Sequence, residues 1–391
     1  MNDWPIVTLG DVADEVTVGH VGPMAMHYQE SGVPFLRSQN VVQHAVDLND
    51  IKFISPEFHA TLTKSRLRPG DVITVRTGKP GTTSVVPEFL SDANCSDLVI
   101  TRPGTSLNAR WLSYYMNSAG SHFINSQLVG AVQQHFNVGS AKSMTFPLPS
   151  LLEQEAIGEV LGAFDDKIAA NTKIAATADG WVRACLAGIT ASAEETVPVS
   201  ELVVNRKELA EPSTLDPASN YLGLEHLPRR SMWASSSGTA ESVTSTKAKF
   251  QHGDILFGKL RPYFHKVVVA PYDGVCSTDI LVLNPSNREL AGYTLASLAS
   301  DFVVERATAA SEGTRMPRTS WKDLASIEVR WPGLTEAKEF SARVAAVRSS
   351  VESLLTENRT LASVRDALLP QLMSGRLRVK NAEAVLEKAG V

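Results

Sequence analysis

The sequence has 391 residues, is 43% hydrophobic and carries a formal net charge of −5, a size that favours two or three globular domains. Its 20% charged fraction excludes a largely disordered chain, and no apolar run reaches the about 20 residues that span a bilayer, so we expect a cytoplasmic protein with no membrane partner. The mildly acidic charge neither indicates nor excludes DNA binding, because local basic patches can bind phosphate.

The first 150 residues predict a mixed α+β unit. The turn Gly70-Asp71 leads into a predicted strand over residues 72–75, and Cys95–Ile100 is predicted to form a second, mostly buried strand. Residues 108–117 have helical spacing. The three cysteines of the chain lie far apart, which excludes a disulfide framework and a Cys-x-x-Cys metal pair, so Cys95 is expected in the core.

A long helix is predicted to follow. Ile157, Leu161, Phe164 and Ile168 alternate by three and four positions, as the apolar seam of a coiled coil does. A proline precedes this segment and Gly188 suits a C-terminal cap. The predicted helix would be roughly 55 Å long at 1.5 Å per residue, which is longer than one small domain needs.

The rest of the chain repeats this plan. Gly253-Asp254 and its strand lie 183 positions after Gly70-Asp71, and Cys276 opens a segment that matches the one after Cys95. The second long helix carries Asn358, 187 positions after Asn171. Two copies of one plan predict a pseudo-two-fold molecule in which the long helices pair antiparallel. The two asparagines would then face each other and fix the register, unless both are simply solvated.

The predicted organisation therefore has four segments. These are a first globular domain, a central spacer helix, a second globular domain, and a C-terminal spacer helix with its tail, over residues 1–150, 151–190, 191–333 and 334–391.

The repeated motifs resemble those of the DNA specificity subunits of Type I restriction-modification systems, over essentially the whole chain. In the first copy residues 76–80 read Arg-Thr-Gly-Lys-Pro where the second has Lys-Leu-Arg-Pro-Tyr, and the second long helix lacks the Glu-Gln start of the first. The motifs that carry the resemblance are Gly253-Asp254-Ile255-Leu256-Phe257-Gly258-Lys259-Leu260-Arg261-Pro262-Tyr263, Cys276-Ser277-Thr278-Asp279-Ile280-Leu281, Pro147-Leu148-Pro149-Ser150-Leu151-Leu152-Glu153-Gln154 and Leu368-Leu369-Pro370-Gln371-Leu372-Met373-Ser374-Gly375-Arg376-Leu377.

This resemblance implies a non-catalytic subunit with two target recognition domains, each of which reads one half of an asymmetric, split sequence in double-stranded DNA. It also implies partners: two methyltransferase (modification) subunits and, where the system has them, restriction subunits with nuclease and translocase activity. No cofactor is expected on this chain, since the methyl donor S-adenosylmethionine would bind to the modification subunit.

Candidate DNA-binding residues are polar and basic side chains in predicted loops, because base edges are read by planar or bidentate polar groups and phosphates by lysine or arginine. Any single one of them could instead be an ordinary solvated surface residue. In the first domain they are Arg37, Gln39, Asn40, Arg76, Lys79, Gln133, Gln134, His135 and Asn137. In the second domain they are His226, Lys259, Arg261, Tyr263, Lys266, Arg315 and Arg318.

Two other functions stay open at this point. A stand-alone DNA methyltransferase or nuclease would act without partners, although the sequence shows no Walker loop, no His-Glu-x-x-His metal motif and no catalytic residues that we can name. A protein-interaction scaffold would bind no DNA even when its partners are present.

Overall fold

The computed structural model describes residues 4–126, 135–311 and 316–379. The chain forms two compact units: unit 1 comprises Met1–Ile168 and Thr360–Val391, and unit 2 comprises Ala169–Arg359. Both units mix helices and strands, which confirms the α+β class. Within the described ranges, no helix has the length and apolar character needed to cross a membrane.

The strands of unit 1 are short, and most belong to two four-stranded sheets. In chain order they are β1 (Ile6–Thr8), β2 (Ala13–Val18), β3 (Val33–Leu36), β4 (Val41–Val42), β5 (Ala45–Val46), β6 (Lys52–Ile54), β7 (Arg66–Leu67), β8 (Val72–Val75), β9 (Thr83–Val85), β10 (Ala93–Cys95), β11 (Leu98–Pro103) and β12 (Thr145–Pro147).

The strands of unit 2 are β13 (Thr196–Pro198), β14 (Val203–Arg206), β15 (Leu209–Ala210), β16 (Asn220–Leu222), β17 (Gly238–Thr239), β18 (Lys247–Phe250), β19 (Ile255–Gly258), β20 (Val267–Val269), β21 (Gly274–Cys276), β22 (Ile280–Pro285) and β23 (Glu328–Arg330).

The helices range from a single turn to 40 residues. They are α1 (Leu9–Val12), α2 (Pro56–Thr61), α3 (Ala109–Asn117), α4 (Gly120–Ser126), α5 (Val138–Lys142), α6 (Leu151–Thr190), α7 (Val199–Leu202), α8 (Ala291–Leu298), α9 (Asp301–Ala309), α10 (Trp321–Ala325) and α11 (Leu334–Met373).

The sheets of the two units have the same topology. Unit 1 has an antiparallel sheet of order β2-β11-β8-β9, and unit 2 has its counterpart in the order β14-β22-β19-β20. The second sheet of unit 1, β6-β3-β10-β7, corresponds to β17-β16-β21-β18 in unit 2, where β15 adds an edge strand. In both, one pair is parallel, β3 with β10 and β16 with β21. The predicted duplication is therefore confirmed at the level of strand order.

The predicted single strand after Cys95 is wrong, because the segment forms two strands that belong to different sheets. β10 ends at Cys95, Asp97 adopts a left-handed backbone with φ 44°, and β11 begins at the next residue. In the first copy this left-handed non-glycine residue interrupts the extended chain, so the turn transfers the backbone from one sheet to the other. The second copy also changes sheets here, since β21 ends at Cys276 and β22 begins at Ile280, but none of residues 277–279 has a positive φ.

The cores explain the repeated apolar positions. Cys95 and Cys276 are fully buried at equivalent strand positions, opposite Leu36 and Leu222 of the parallel neighbours. Burial raises the pKa of the Cys276 thiol to about 12 and that of Cys95 further still. Both cysteines are therefore unreactive core residues, as predicted.

The long helices α6 and α11 contribute residues to both units. In unit 2 they run antiparallel: Asn171 bonds Asn358, whereas Thr190, where α6 ends, accepts a hydrogen bond at 3.3 Å from Arg330, shortly before α11 begins. The predicted cap at Gly188 is wrong, because the helix continues for two more residues. At the end of the second long helix, Gly375, with φ 67°, lies two positions after the last residue of α11.

Candidate nucleic-acid interface

In unit 1, the loop after β8 forms a polar cluster around the turn between β10 and β11. Arg76 donates from Nη1 to the carboxylate of Asp97, and from Nε to the carbonyl of Phe136 at 3.2 Å. Thr77 donates to the same carboxylate at 3.0 Å, and its hydroxyl lies 3.3 Å from Nδ1 of His135. The structure thus brings together Arg76 and His135, two predicted DNA contacts 59 positions apart in the chain.

The neighbouring candidates of unit 1 are arranged less uniformly. The Lys79 side chain is exposed at the tip of the same loop. Asn137 is the N-cap of α5, since its Oδ1 accepts from the backbone N–H of Ser140 at 2.8 Å. Because the amide oxygen is used in this cap, the NH₂ group is the part of the Asn137 side chain that is available to contact another molecule. Gln133 and Gln134 lie outside the described residues.

A second polar cluster surrounds Asp50. Arg37 donates from Nη2 to its backbone carbonyl and to its Oδ2 at 3.2 Å, and Gln39 donates to Oδ2 at 3.0 Å. Hydrogen bonds from Lys52, Arg37 and Gln39 lower the pKa of Asp50 to about 2. An ionised carboxylate therefore orients Arg37 and Gln39, while both side chains keep donors that can face a ligand.

Asn40 is a correction to the predicted set. It is completely buried, accepts from the backbone N–H of Arg37 at 3.0 Å and donates to the carbonyls of Asp47 at 2.9 Å and Asn49 at 3.3 Å. Both polar atoms of its amide bond the backbone of its own loop, and the buried side chain cannot reach a base edge.

In unit 2, the corresponding cluster surrounds Asp279, in the turn between β21 and β22. Arg318 donates from Nε to Asp279 at 3.0 Å, and the backbone N–H of Lys259 donates to the carbonyl of the same residue at 3.0 Å. Leu260 and Arg318 form an isolated β-bridge, so the segment after α9 returns beside the loop after β19. Lys259 is half-buried and Arg318 is exposed over 48% of its side chain.

His226 and Lys266 are committed to the framework of unit 2. His226 accepts at Nδ1 from the backbone N–H of Gly223 at 2.9 Å, the role that Asn40 has in unit 1. Lys266 donates to the carbonyl of Leu224, and burial lowers the pKa of its ammonium group. Both side chains stabilise the turn after β16, and their role as direct DNA contacts stays a prediction.

Arg261 and Tyr263 are both exposed, in the loop that follows β19. Arg261 has a left-handed backbone with φ 50°, and Tyr263 is 50% exposed in the single 3-10 turn that follows. The guanidinium carbon of Arg261 lies 6.0 Å from the ring centre of Phe264. Arg315 lies outside the described residues.

The sequence reasoning missed the acidic residues that orient the arginines. Asp97 and Asp279 follow the repeated Cys-Ser motif, and each bonds an arginine, yet Arg76 comes from the end of a strand and Arg318 from a distant returning segment. The recurrence of the aspartate in both copies was the available signal. An aspartate thus recurs in both copies with different basic side chains around it, which suits the contact of two unlike polar surfaces.

The Asn171 and Asn358 side chains contact each other within unit 2. Nδ2 of Asn171 donates to Oδ1 of Asn358 at 2.8 Å and to Oε2 of Glu357 at 2.7 Å. Asn358 donates to Thr172 at 3.3 Å. Asn171 is buried between apolar positions of the helix seam, so neither a metal nor a ligand is needed to explain its polar group. Across the described ranges, no cluster of three or more His, Cys, Asp or Glu side chains could hold a metal ion.

Comparison with known proteins gives a consistent result. Residues 1–178 match the model of the Type I restriction modification DNA specificity domain. The chain is 32% identical over 143 residues to the type I restriction enzyme EcoDI specificity subunit of Escherichia coli, a match that covers 35% of this chain and 31%, about a third, of that relative. It is 21% identical to the type I restriction enzyme MjaX specificity subunit assigned in Methanocaldococcus jannaschii, over 97% of this chain and 94% of that protein.

A solved structure shares the fold. The crystal structure of the Type-I restriction-modification system S subunit from M. genitalium matches 95% of this chain and 97% of its own, with a TM-score of 0.56 at 13% identity.

Proposed function

We propose that the chain is a DNA specificity subunit of a Type I restriction-modification system, whose specificity-domain model its residues 1–178 match, and that it recognises an asymmetric, split DNA sequence. Each unit reads one half-site. The chain itself is the recognition subunit, and methyl transfer and cleavage belong to its partners.

This proposal rests on one observation: the two units share one strand order but carry different polar side chains at equivalent places. Around Asp97, unit 1 places Arg76, Thr77 and His135. Around Asp279, unit 2 places Arg318 and the backbone of Lys259. Base pairs differ in the donors and acceptors that they present in the major groove, so two units with the same frame and different polar side chains favour two different half-sites.

The proposed DNA-contacting set follows the accessible side chains at these two surfaces. A residue such as Asn40 is excluded, because its polar atoms are all hydrogen-bonded to the backbone of its own unit. The set is Arg37, Gln39, Arg76, Lys79, His135 and Asn137 in unit 1, and Lys259, Arg261, Tyr263 and Arg318 in unit 2. Arginines held by a carboxylate present a fixed fork of donors, which favours bidentate contact with guanine or phosphate.

The proposed partners are two modification subunits and, in a complete system, restriction subunits, all acting in the cytoplasm. The curated relatives are named as specificity subunits of type I restriction enzymes, which supports a role within a larger enzyme. S-adenosylmethionine would be bound by the modification subunits. The −5 charge of this chain makes added positive charge from partners useful for holding the DNA backbone.

The decisive experiment is methylation-site sequencing of genomic DNA from cells with and without this chain, in the presence of its modification subunits. We expect methylated adenines within one split, asymmetric sequence that appear only when the chain is present. Methylation by the purified chain alone would instead support a stand-alone enzyme. An unchanged methylome, together with no DNA binding by the assembled complex, would favour a scaffold without DNA contact.

A further inference from the structure

Unit 2 presents an exposed aromatic side chain on a strained turn, and this turn has a use beyond general DNA contact. The 3-10 turn Pro262–Phe264 is flanked by two left-handed residues, Arg261 with φ 50° and His265 with φ 53°. Bulky L-residues adopt this conformation at a cost in free energy, and such strain persists where the surrounding structure fixes it, often at functional sites.

The surrounding structure fixes both ends of the turn. The backbone N–H of Arg261 donates to the carbonyl of Pro317 at 2.8 Å. His265 is 3% exposed, its Nε2 lies 2.8 Å from the carbonyl of Ala299, and its carbonyl accepts from Arg230, which is itself left-handed with φ 55°. The turn is therefore a rigid platform and not a loose loop.

One aromatic ring of this turn, that of Tyr263, is exposed to solvent. Tyr263 is 50% exposed, and its ring packs edge-on against Phe264 at 4.8 Å between centroids. Phe264 is in turn covered by the guanidinium of Arg229, whose central carbon lies 4.1 Å from the ring centre. An exposed aromatic ring with two exposed arginines beside it is the combination that nucleic-acid-binding proteins use to stack on a base while neutralising adjacent phosphates.

Unit 1 lacks this feature at the equivalent loop. Residues 76–82 between β8 and β9 contain no aromatic residue, and both of its left-handed positions, Gly78 and Gly81, are glycines that adopt this backbone without strain. The strained aromatic platform is thus specific to unit 2 among these two equivalent loops.

We infer that Tyr263 stacks on a partly unstacked base of the half-site read by unit 2, while Arg229 and Arg261 contact the flanking phosphates. The inference rests on the proposed function and assigns to one half-site a recognition mode that depends on duplex distortion as well as base edges. Steps that unstack easily, such as pyrimidine–purine steps, are then favoured at that position.

The test uses the full chain assembled with its modification subunits, without methyl donor, on duplexes that carry the site found by methylation sequencing. The adenine analogue 2-aminopurine replaces single bases in either half-site, and its fluorescence reports local unstacking. We expect binding of the wild-type complex to change this fluorescence several-fold at one position of the unit 2 half-site. Tyr263→Phe keeps the ring and the signal, whereas Tyr263→Ala loses the signal and weakens binding on the order of 10- to 100-fold.

The matched control is Phe302→Ala, which removes another exposed ring of unit 2, 49% exposed, from a different helix. It should leave both binding and fluorescence unchanged. If the wild-type complex binds its split site but Tyr263→Ala behaves as wild type does, the inference about Tyr263 is wrong and the proposed function stands. If the wild-type complex binds no split site, the proposed function itself fails. Loss of affinity for both half-sites with a lowered melting temperature would show that Tyr263 only supports the fold, and this too would overturn the inference.

Discussion

The asparagine pair of the long helices offers a direct test of the packing. Asn171 is 2% exposed, and its Nδ2 donates to Asn358 at 2.8 Å and to the Glu357 carboxylate at 2.7 Å. Asn171→Ala removes both donors. A neutral hydrogen bond contributes about 1 kcal/mol and one to a charged acceptor about 1.5–3 kcal/mol, of which the lower end applies because Glu357 is only half-buried. We therefore expect the local opening free energy to fall by about 2–3 kcal/mol.

Hydrogen exchange measured by mass spectrometry gives the readout, because the chain has two units and need not unfold in one step. Amides over residues 169–178 should exchange roughly 30- to 150-fold faster in Asn171→Ala, since 1.4 kcal/mol corresponds to a factor of ten. Lys173→Ala is the control: it shortens an exposed side chain on the same helix turn and should leave these rates unchanged. Equal exchange in Asn171→Ala and the control would refute the claim that this pair holds the helices together.

Replacing both asparagines distinguishes stability from register. Asn171→Leu with Asn358→Leu places two apolar side chains where the seam is otherwise apolar, and buried polar pairs exchanged for apolar ones are often neutral or stabilising. We expect exchange in this double variant to be as slow as in wild type or slower. The cost would then appear as alternative helix registers, because a buried asparagine at a seam position selects one alignment.

Three further predictions concern the recognition surfaces, pH and the helix length. Asp97→Asn should weaken discrimination in one half-site and Asp279→Asn in the other, each about 10-fold, as measured by methylation of duplexes with single base changes; equal loss at both halves would contradict independent units. His44, whose pKa burial lowers to about 4, should make the protein lose stability as the pH falls from about 6.5 towards 4, because only the unfolded chain then takes up the proton. The loss is about 2 kcal/mol by pH 5, and His44→Asn, which tolerates the left-handed φ of 64°, should remove this pH dependence of the urea midpoint; the same pH slope in both proteins would show the assignment to be wrong. Insertion of one heptad into both α6 and α11 lengthens each helix by about 10 Å and should extend the preferred gap between half-sites by about three base pairs without changing either half-site; a fixed gap in the methylation sites would exclude the spacer role.

The sequence predicts those features of the fold that are local and repeated. The strands after Gly70-Asp71 and Gly253-Asp254 begin and end close to the predicted positions, because a glycine turn followed by β-branched residues is a short-range signal. The strand that was predicted from Cys95 onward shows the limit of this reasoning. Nothing local states that Cys95 pairs with Leu36 while Leu98 pairs with Val75 in another sheet; that choice is made by long-range packing.

Site residues were harder to predict than elements, because a polar side chain in a turn can face either solvent or its own backbone. Asn40 and His226 have the residue types of base readers, yet each accepts a hydrogen bond from the backbone N–H three positions earlier. The repeat contained a usable signal: both residues stand at the same place, shortly after equivalent strands, and a role shared by both copies points to the frame. Under the proposed function, the residues that differ between the copies, such as Arg76 and Arg318, are the candidates for recognition.

Under the proposed function, the carboxylates at Asp97 and Asp279 explain how one frame can carry two specificities. The sheet holds the backbone beside each carboxylate. The backbone N–H of Ser96 donates to the carbonyl of Leu36, and that of Ser277 donates to the carbonyl of Leu222, both at 3.0 Å. The arginine that each carboxylate binds can come from any neighbouring segment. Unit 1 uses the loop after β8, whereas unit 2 uses the segment after α9. The anchor therefore belongs to a sheet whose strand order both units share, and the arginines come from loops that differ between the units, so a loop can change its contacts without disturbing the strands. If each unit reads one half-site, as proposed, divergence of one unit alters one half-site and leaves the other intact, so a duplicated reader is expected to show unlike chemistry at equivalent places.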